Sequence, residues 1–91
     1  MALKILSAPS PSQGTAISEQ LRSAIEAALA GARADVRAAS PGHFEIRVRW
    51  DGFAGKSKLQ QHQSVYRAIT PFMTGDAAPV HAIDQLDCQL A

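Results

Sequence analysis

The chain is expected to fold as one α+β domain with its elements in the order αββαβ. Three observations predict this. Ile17, Leu21, Ile25 and Leu29 recur every fourth residue, His43–Trp50 alternates apolar and polar, and a second helical stripe over 59–69 precedes a last apolar run. A helix between the second and third strands allows a crossover connection, so the third strand can pair parallel to its neighbour. The expected sheet is three-stranded and mixed, with both helices on one face.

Each element has its own signal. Residues 7–14, SAPSPSQG, carry Pro, Ser and Gly with no apolar period, and residues 1–14 read as a loose leader before a domain over 15–91. Thr15 or Ser18 is expected to cap the first helix, whose apolar stripe also takes in Ala24 and Ala28. Glu19 suits the positive end of the helix dipole, and Gly31 is a usual helix stop. RADVRA at 33–38 has the alternation of a short strand, and Ser40-Pro41-Gly42 is turn chemistry. HFEIRVRW at 43–50 sets Phe44, Ile46, Val48 and Trp50 against Glu45, Arg47 and Arg49, the pattern of a half-buried strand. The two runs read as an antiparallel hairpin.

Asp51-Gly52 ends that strand, and Ser57 is placed to cap a second helix with Leu59, His62, Tyr66 and Ile69 on one stripe and Val65 beside it. Pro71 requires either that this helix end near Ile69 or that Thr70 open a new short turn. Gly75–Pro79 reads as a loop and Val80–Leu90 as the last strand, its imperfect alternation pointing to a bulge.

Composition narrows the function classes. Ninety-one residues make one domain rather than two, and 46% apolar content suits a globular core. A single Cys forms no internal disulfide, consistent with a reducing compartment, and a cytoplasmic location is expected. No apolar run approaches the roughly 20 residues of a membrane span, and residues 1–6 lack the apolar core of about 7–15 residues that a secretory signal needs.

The motifs point to binding rather than catalysis. Gly55-Lys56-Ser57 resembles the end of a phosphate loop, but Trp50 stands where GxxxxGK[ST] needs its first glycine. Gly52-Phe53-Ala54-Gly55 is a GxxG turn with Lys56 and Lys58 after it and Arg47 and Arg49 before it, a set that suits phosphate contacts in a nucleic acid. The plain alternative is a turn with solvated lysines, and a net charge of +1 does not decide between them. Among the three histidines, His43 opens the central strand, His62 lies mid-helix on an apolar face and reads as structural with Tyr66, and His81 begins the last strand. Neutral imidazole is a common metal ligand, yet no HxH, HExxH or CxxC spacing groups these residues. Cys88 reads equally as a soft ligand or a small buried hydrophobe. No paired-carboxylate, GxSxG or CxxC set is present, so no enzymatic activity and no small-molecule substrate are expected.

The run from Phe44 to Ser57, then LQQHQSVYRAI at 59–69, then Val80-His81-Ala82-Ile83, resembles the BolA family. The similarity covers roughly residues 17–87, with SEQLRSAIEAALAG at 18–31 matching the family's opening segment. It implies a compact αββαβ domain similar to class II KH domains. It also implies partnership with a monothiol glutaredoxin around a shared [2Fe–2S] cluster, in iron–sulfur assembly or trafficking or in iron and stress regulation. His81 matches the family's near-invariant histidine of the last strand, and His43 matches the variable His or Cys before the central strand. The pair would ligate one iron, while glutaredoxin and glutathione thiolates hold the other. Some members are transcriptional regulators that contact DNA, which is the alternative the basic GxxG surface points to. The chain departs from the pattern in carrying Gln61 and Gln63 beside His62, in a longer 70–79 segment containing Pro71, and in its LDCQLA ending. Cys88 lies outside the family pattern and takes no role from it.

Overall fold

The computed structural model describes residues 9–91 except Asp76, and side chains from Thr15 onward. The order is α1 (Pro9–Ala28), β1 (Arg33–Ser40), β2 (His43–Arg49), a 3-10 turn (Asp51–Phe53), α2 (Lys58–Ile69), a second 3-10 turn (Thr70–Phe72) and β3 (Ala82–Gln89). The sheet order is β1-β2-β3, antiparallel between β1 and β2 and parallel between β2 and β3. The αββαβ order and the mixed sheet are those the periodicities predict.

The central strand fixes the layers. Phe44, Ile46 and Val48 point to one face and are buried to 2% exposure or less, while Arg47 and Arg49 stay exposed on the other. Burying such a side chain stabilises by about 1.5–3 kcal/mol relative to leaving it in water. Leu21 and Ile25 of the first helix, Leu29 just past its end, Val65 and Ile69 of the second, and Val80 and Cys88 from the last segment complete one core with them. Both helices therefore cover one face of the sheet, and the other face is open.

Helix α1 begins earlier than Thr15 or Ser18, because it already includes Pro9 and Pro11. A proline in the first helical turn gives up an N–H that has no intrahelical acceptor, so the residues that resemble a linker also tolerate a helix start. The leader expected over 1–14 otherwise falls on residues 1–8, outside the described ones.

Helix α2 is capped as its sequence predicts. The Ser57 hydroxyl accepts from Gln60 N–H at 3.1 Å, and the Gln60 side chain accepts from Ser57 N–H at 3.0 Å, a reciprocal capping box. Its buried stripe differs from the expected one. Val65 and Ile69 are buried, but Leu59 is 67% exposed and Tyr66 37%. The inward row runs through Gln61, Val65 and Ile69, four residues apart, and a polar residue opens it. Gln61 Nε2 donates to the carbonyl oxygen of Lys56 at 3.0 Å, so the amide ties the helix to the preceding turn. Thr70 begins the second 3-10 turn with Pro71 inside it, resolving the alternative that Pro71 leaves open.

The last strand is shorter than Val80–Leu90. Val80 N–H donates to Phe72 carbonyl at 3.1 Å and His81 N–H to Gly42 carbonyl at 2.8 Å, so both residues stand before the ladder. Phe44 pairs with Ile83 and Glu45 with Gln85, leaving Asp84 as the extra residue of the bulge that the imperfect alternation suggests.

Ile69→Ala should lower unfolding free energy by about 2–5 kcal/mol, the range for truncating a buried aliphatic side chain. Leu59→Ala should change it by no more than about 0.5 kcal/mol. Urea denaturation of the two variants checks the reassigned stripe, and equal losses would return Leu59 to the core.

Candidate functional site

The N-terminal ends of β2 and β3 lie side by side because the strands are parallel, and His43 pairs in register with Ala82. His81 thus sits directly next to the turn that carries His43. Pro41-Gly42 links β1 to β2, and a proline followed by a glycine at φ +78° is the pair a type II turn requires. The Gly42 carbonyl accepts two N–H donors, from His81 at 2.8 Å and from Ala82 at 3.1 Å. The loop before His81 is consequently pinned at both sides, by Val80 to Phe72 and by His81 to Gly42. Phe72 itself packs against the core, so the longer 70–79 segment is tied down before it reaches the histidine.

The imidazole of His81 lies over Gly42. A Cβ built on that glycine would stand 2.1 Å from His81 Cδ2 and 3.2 Å from Nε2. The absent side chain is therefore the space the ring occupies. His43 projects from the open side of the sheet, 42% exposed, with Nδ1 at 2.9 Å from Asp84 Oδ1. His81 is also exposed. Two accessible imidazoles flanking one turn suit a borderline metal centre completed by another molecule. Among the described residues no three His, Cys, Asp or Glu side chains gather closely enough to hold a metal ion by themselves.

The other predicted residues are dispersed. His62 is half-buried on α2, and Tyr66 lies partly exposed one turn further on. Gly52 is covered by the Trp50 indole, whose ring carbons would lie 2.3–2.5 Å from an added Cβ. Trp50 in turn meets Phe53 edge-on at 5.2 Å and donates from Nε1 to the Ala30 carbonyl at 2.9 Å. The GxxG segment thus presents a tryptophan-capped turn with Phe53 buried beneath it. Lys58 Nζ donates to the Cys88 carbonyl at 2.8 Å, and Arg47 pairs with Asp87 at 3.5 Å. Arg49 and Lys56 make no ion pair among the described residues. Cys88 is buried at 1% exposure. Burial pushes its thiol above the ordinary range, against an opposing pull from the Lys58 ammonium, while Asp87 adds to the rise. Of the two readings of Cys88, the small buried hydrophobe is the one the structure supports.

Residues 18–88 match the family model for BolA-like protein. The chain belongs to the BolA family. Solved BolA structures agree in fold. A BolA homologue from Coxiella burnetii is 27% identical with a TM-score of 0.61, over 79% of this chain and 88% of that one. Mouse BolA1 is 28% identical with a TM-score of 0.64, over 81% and 64%. BolA1 from Arabidopsis thaliana, 18% identical with a TM-score of 0.64 over 80% and 89%, shares the fold. No curated protein matches the chain significantly. In this BolA chain no described helix is long and apolar enough to cross a membrane.

Sequence reasoning missed Asp84. Its signal is the broken alternation of Ala82–Gln89, but aiming it at His43, 41 positions earlier, requires the register of two strands.

Gly42→Ala should cost about 1–2 kcal/mol for the left-handed backbone alone, and it should also displace the His81 ring. Gly55→Ala, at the same φ of +78° but with nothing within 4 Å of its Cβ, carries only the backbone cost. Histidine NMR shifts in the two variants separate the effects: His81 resonances should move in the first and stay in the second. Cys88 should react with iodoacetamide far more slowly in the folded chain than in urea, since only the accessible thiolate is nucleophilic. Equal rates would contradict its burial.

Proposed function

We propose that this BolA-family chain is a binding partner rather than a catalyst, pairing with a monothiol glutaredoxin and contributing His43 and His81 to a shared [2Fe–2S] cluster. The observation that carries the reading is the pair of accessible imidazoles at the joined ends of β2 and β3, one of them seated over Gly42. The donor set fits the group: two neutral nitrogens suit one iron, and the other would take the glutaredoxin and glutathione thiolates. Imidazole in place of thiolate raises a cluster's reduction potential when bound. Donors from a second protein are part of this reading, since the described residues of the chain do not by themselves enclose a metal. A role in iron–sulfur assembly or trafficking, or in iron or stress regulation, in a reducing cytoplasm follows from it. The nucleic-acid alternative has less support, because Trp50 covers Gly52 and Lys58 is engaged with the Cys88 carbonyl.

Co-expression with a monothiol glutaredoxin should yield a coloured heterodimer with the visible absorption of a [2Fe–2S] cluster. His81→Ala and His43→Ala should each alter or abolish that spectrum while leaving the folded chain intact by circular dichroism. An unchanged spectrum would remove the ligand assignment, and failure of the two proteins to associate would remove the partnership.

A further inference from the structure

The geometry points to Asp84 as a positioning residue that holds the His43 imidazole in its Nδ1–H form and so presents Nε2 outward as the binding nitrogen. This rests on the reading of His43 as a ligand. Two independent observations support it. One is the contact: Asp84 Oδ1 lies 2.9 Å from His43 Nδ1. An ionised carboxylate only accepts, so Nδ1 must carry the proton, and in the neutral ring the lone pair is then left on Nε2. The other is the backbone. The bulge gives β3 one residue more than β2 between the Phe44–Ile83 and Glu45–Gln85 pairs, and that residue is Asp84. Bulges re-aim a side chain beside a site, and here the re-aimed side chain faces the histidine at the strand opening. Asp84 Oδ1 makes no other hydrogen bond among the described residues. Carboxylates that receive the second ring N–H of a ligating histidine orient it and raise its basicity.

The contact is half-open to solvent, both side chains being 42% exposed. It therefore contributes little to stability by itself, and its consequence is orientational. Among the described residues His81 has no such carboxylate. Its ring is placed by Gly42 below it and by its own backbone N–H. The two histidines are thus held by different means, one by a side chain and one by the absence of a side chain.

Long-range ¹H–¹⁵N correlation on the isolated ¹⁵N-labelled protein, at a pH where all three imidazoles are neutral, reads the tautomer without any metal. His43 should show a protonated Nδ1 and an unprotonated Nε2. Asp84→Ala should shift it toward the Nε2–H form and leave His62 and His81 unchanged. Asp84→Asn, whose amide oxygen can still accept, should retain the wild-type pattern. With glutaredoxin, the Asp84→Ala complex should lose its cluster roughly tenfold faster than wild type, the lower end of the effect of removing an outer-shell partner. A His43 tautomer that is Nε2–H in wild type, or that Asp84→Ala does not move, overturns the role of Asp84 and leaves the cluster reading intact. A wild-type chain with the expected tautomer that assembles no cluster overturns the ligand reading instead.

Discussion

The β2 strand must satisfy hydrogen bonds along both of its edges while burying only one of its faces, and this constraint orders the rest of the molecule. Its first edge takes β1 through a two-residue turn, which imposes antiparallel pairing. Its second edge takes β3 in parallel, which a tight turn cannot supply. The chain must cross over, and the crossover helix has to return on the side where Phe44, Ile46 and Val48 need cover. Helix α2 delivers Val65 and Ile69 there, and α1 delivers Leu21 and Ile25 beside them.

One consequence is the division of the sheet into two surfaces with different chemistry. The covered surface holds aliphatic and aromatic side chains and the buried Cys88 thiol. The open surface holds charged residues, of which Arg37 pairs with Glu45 and Arg47 with Asp87. Such exposed pairs contribute little to stability, but they neutralise arginines that would otherwise form a basic field. The parallel β2–β3 pairing also joins the strand openings, and the histidines sit there, at the margin between the two surfaces.

The sequence was most readable where one physical effect dominates. Alternation over 43–49 is enforced by burial on one face, so β2 and its orientation follow directly from the residues. Ser57 announces the start of α2 because a hydroxyl followed three residues later by Gln satisfies two free N–H groups. The inward stripe of that helix was harder to see. Gln61 begins it, and an amide that bonds the preceding turn looks from composition like a surface residue, so Leu59 and Tyr66 take its place in a count of apolar positions. Pro9 and Pro11 hide the start of α1 for a related reason: the same residue type serves a linker and a first helical turn. His43 and His81 enter through family resemblance, as the ligands proposed above. Asp84 was not, because its place depends on pairing register, which is a property of two strands together. The burial of Gly52 under Trp50 is likewise invisible until the turn between them is built.

His43 and His81 stand 38 positions apart, and only the parallel pairing brings them together. The hairpin that contains His43 is a local contact, closed across the two-residue turn between Ser40 and His43. The opposite wall of the site arrives with residues 80–89, after the loop-closure cost of the whole crossover has been met. The proposed donor pair therefore exists only once the crossover has closed, and the hairpin by itself holds one half of it. On the proposed reading, the capacity to ligate iron is a property of the closed domain and not of any local segment.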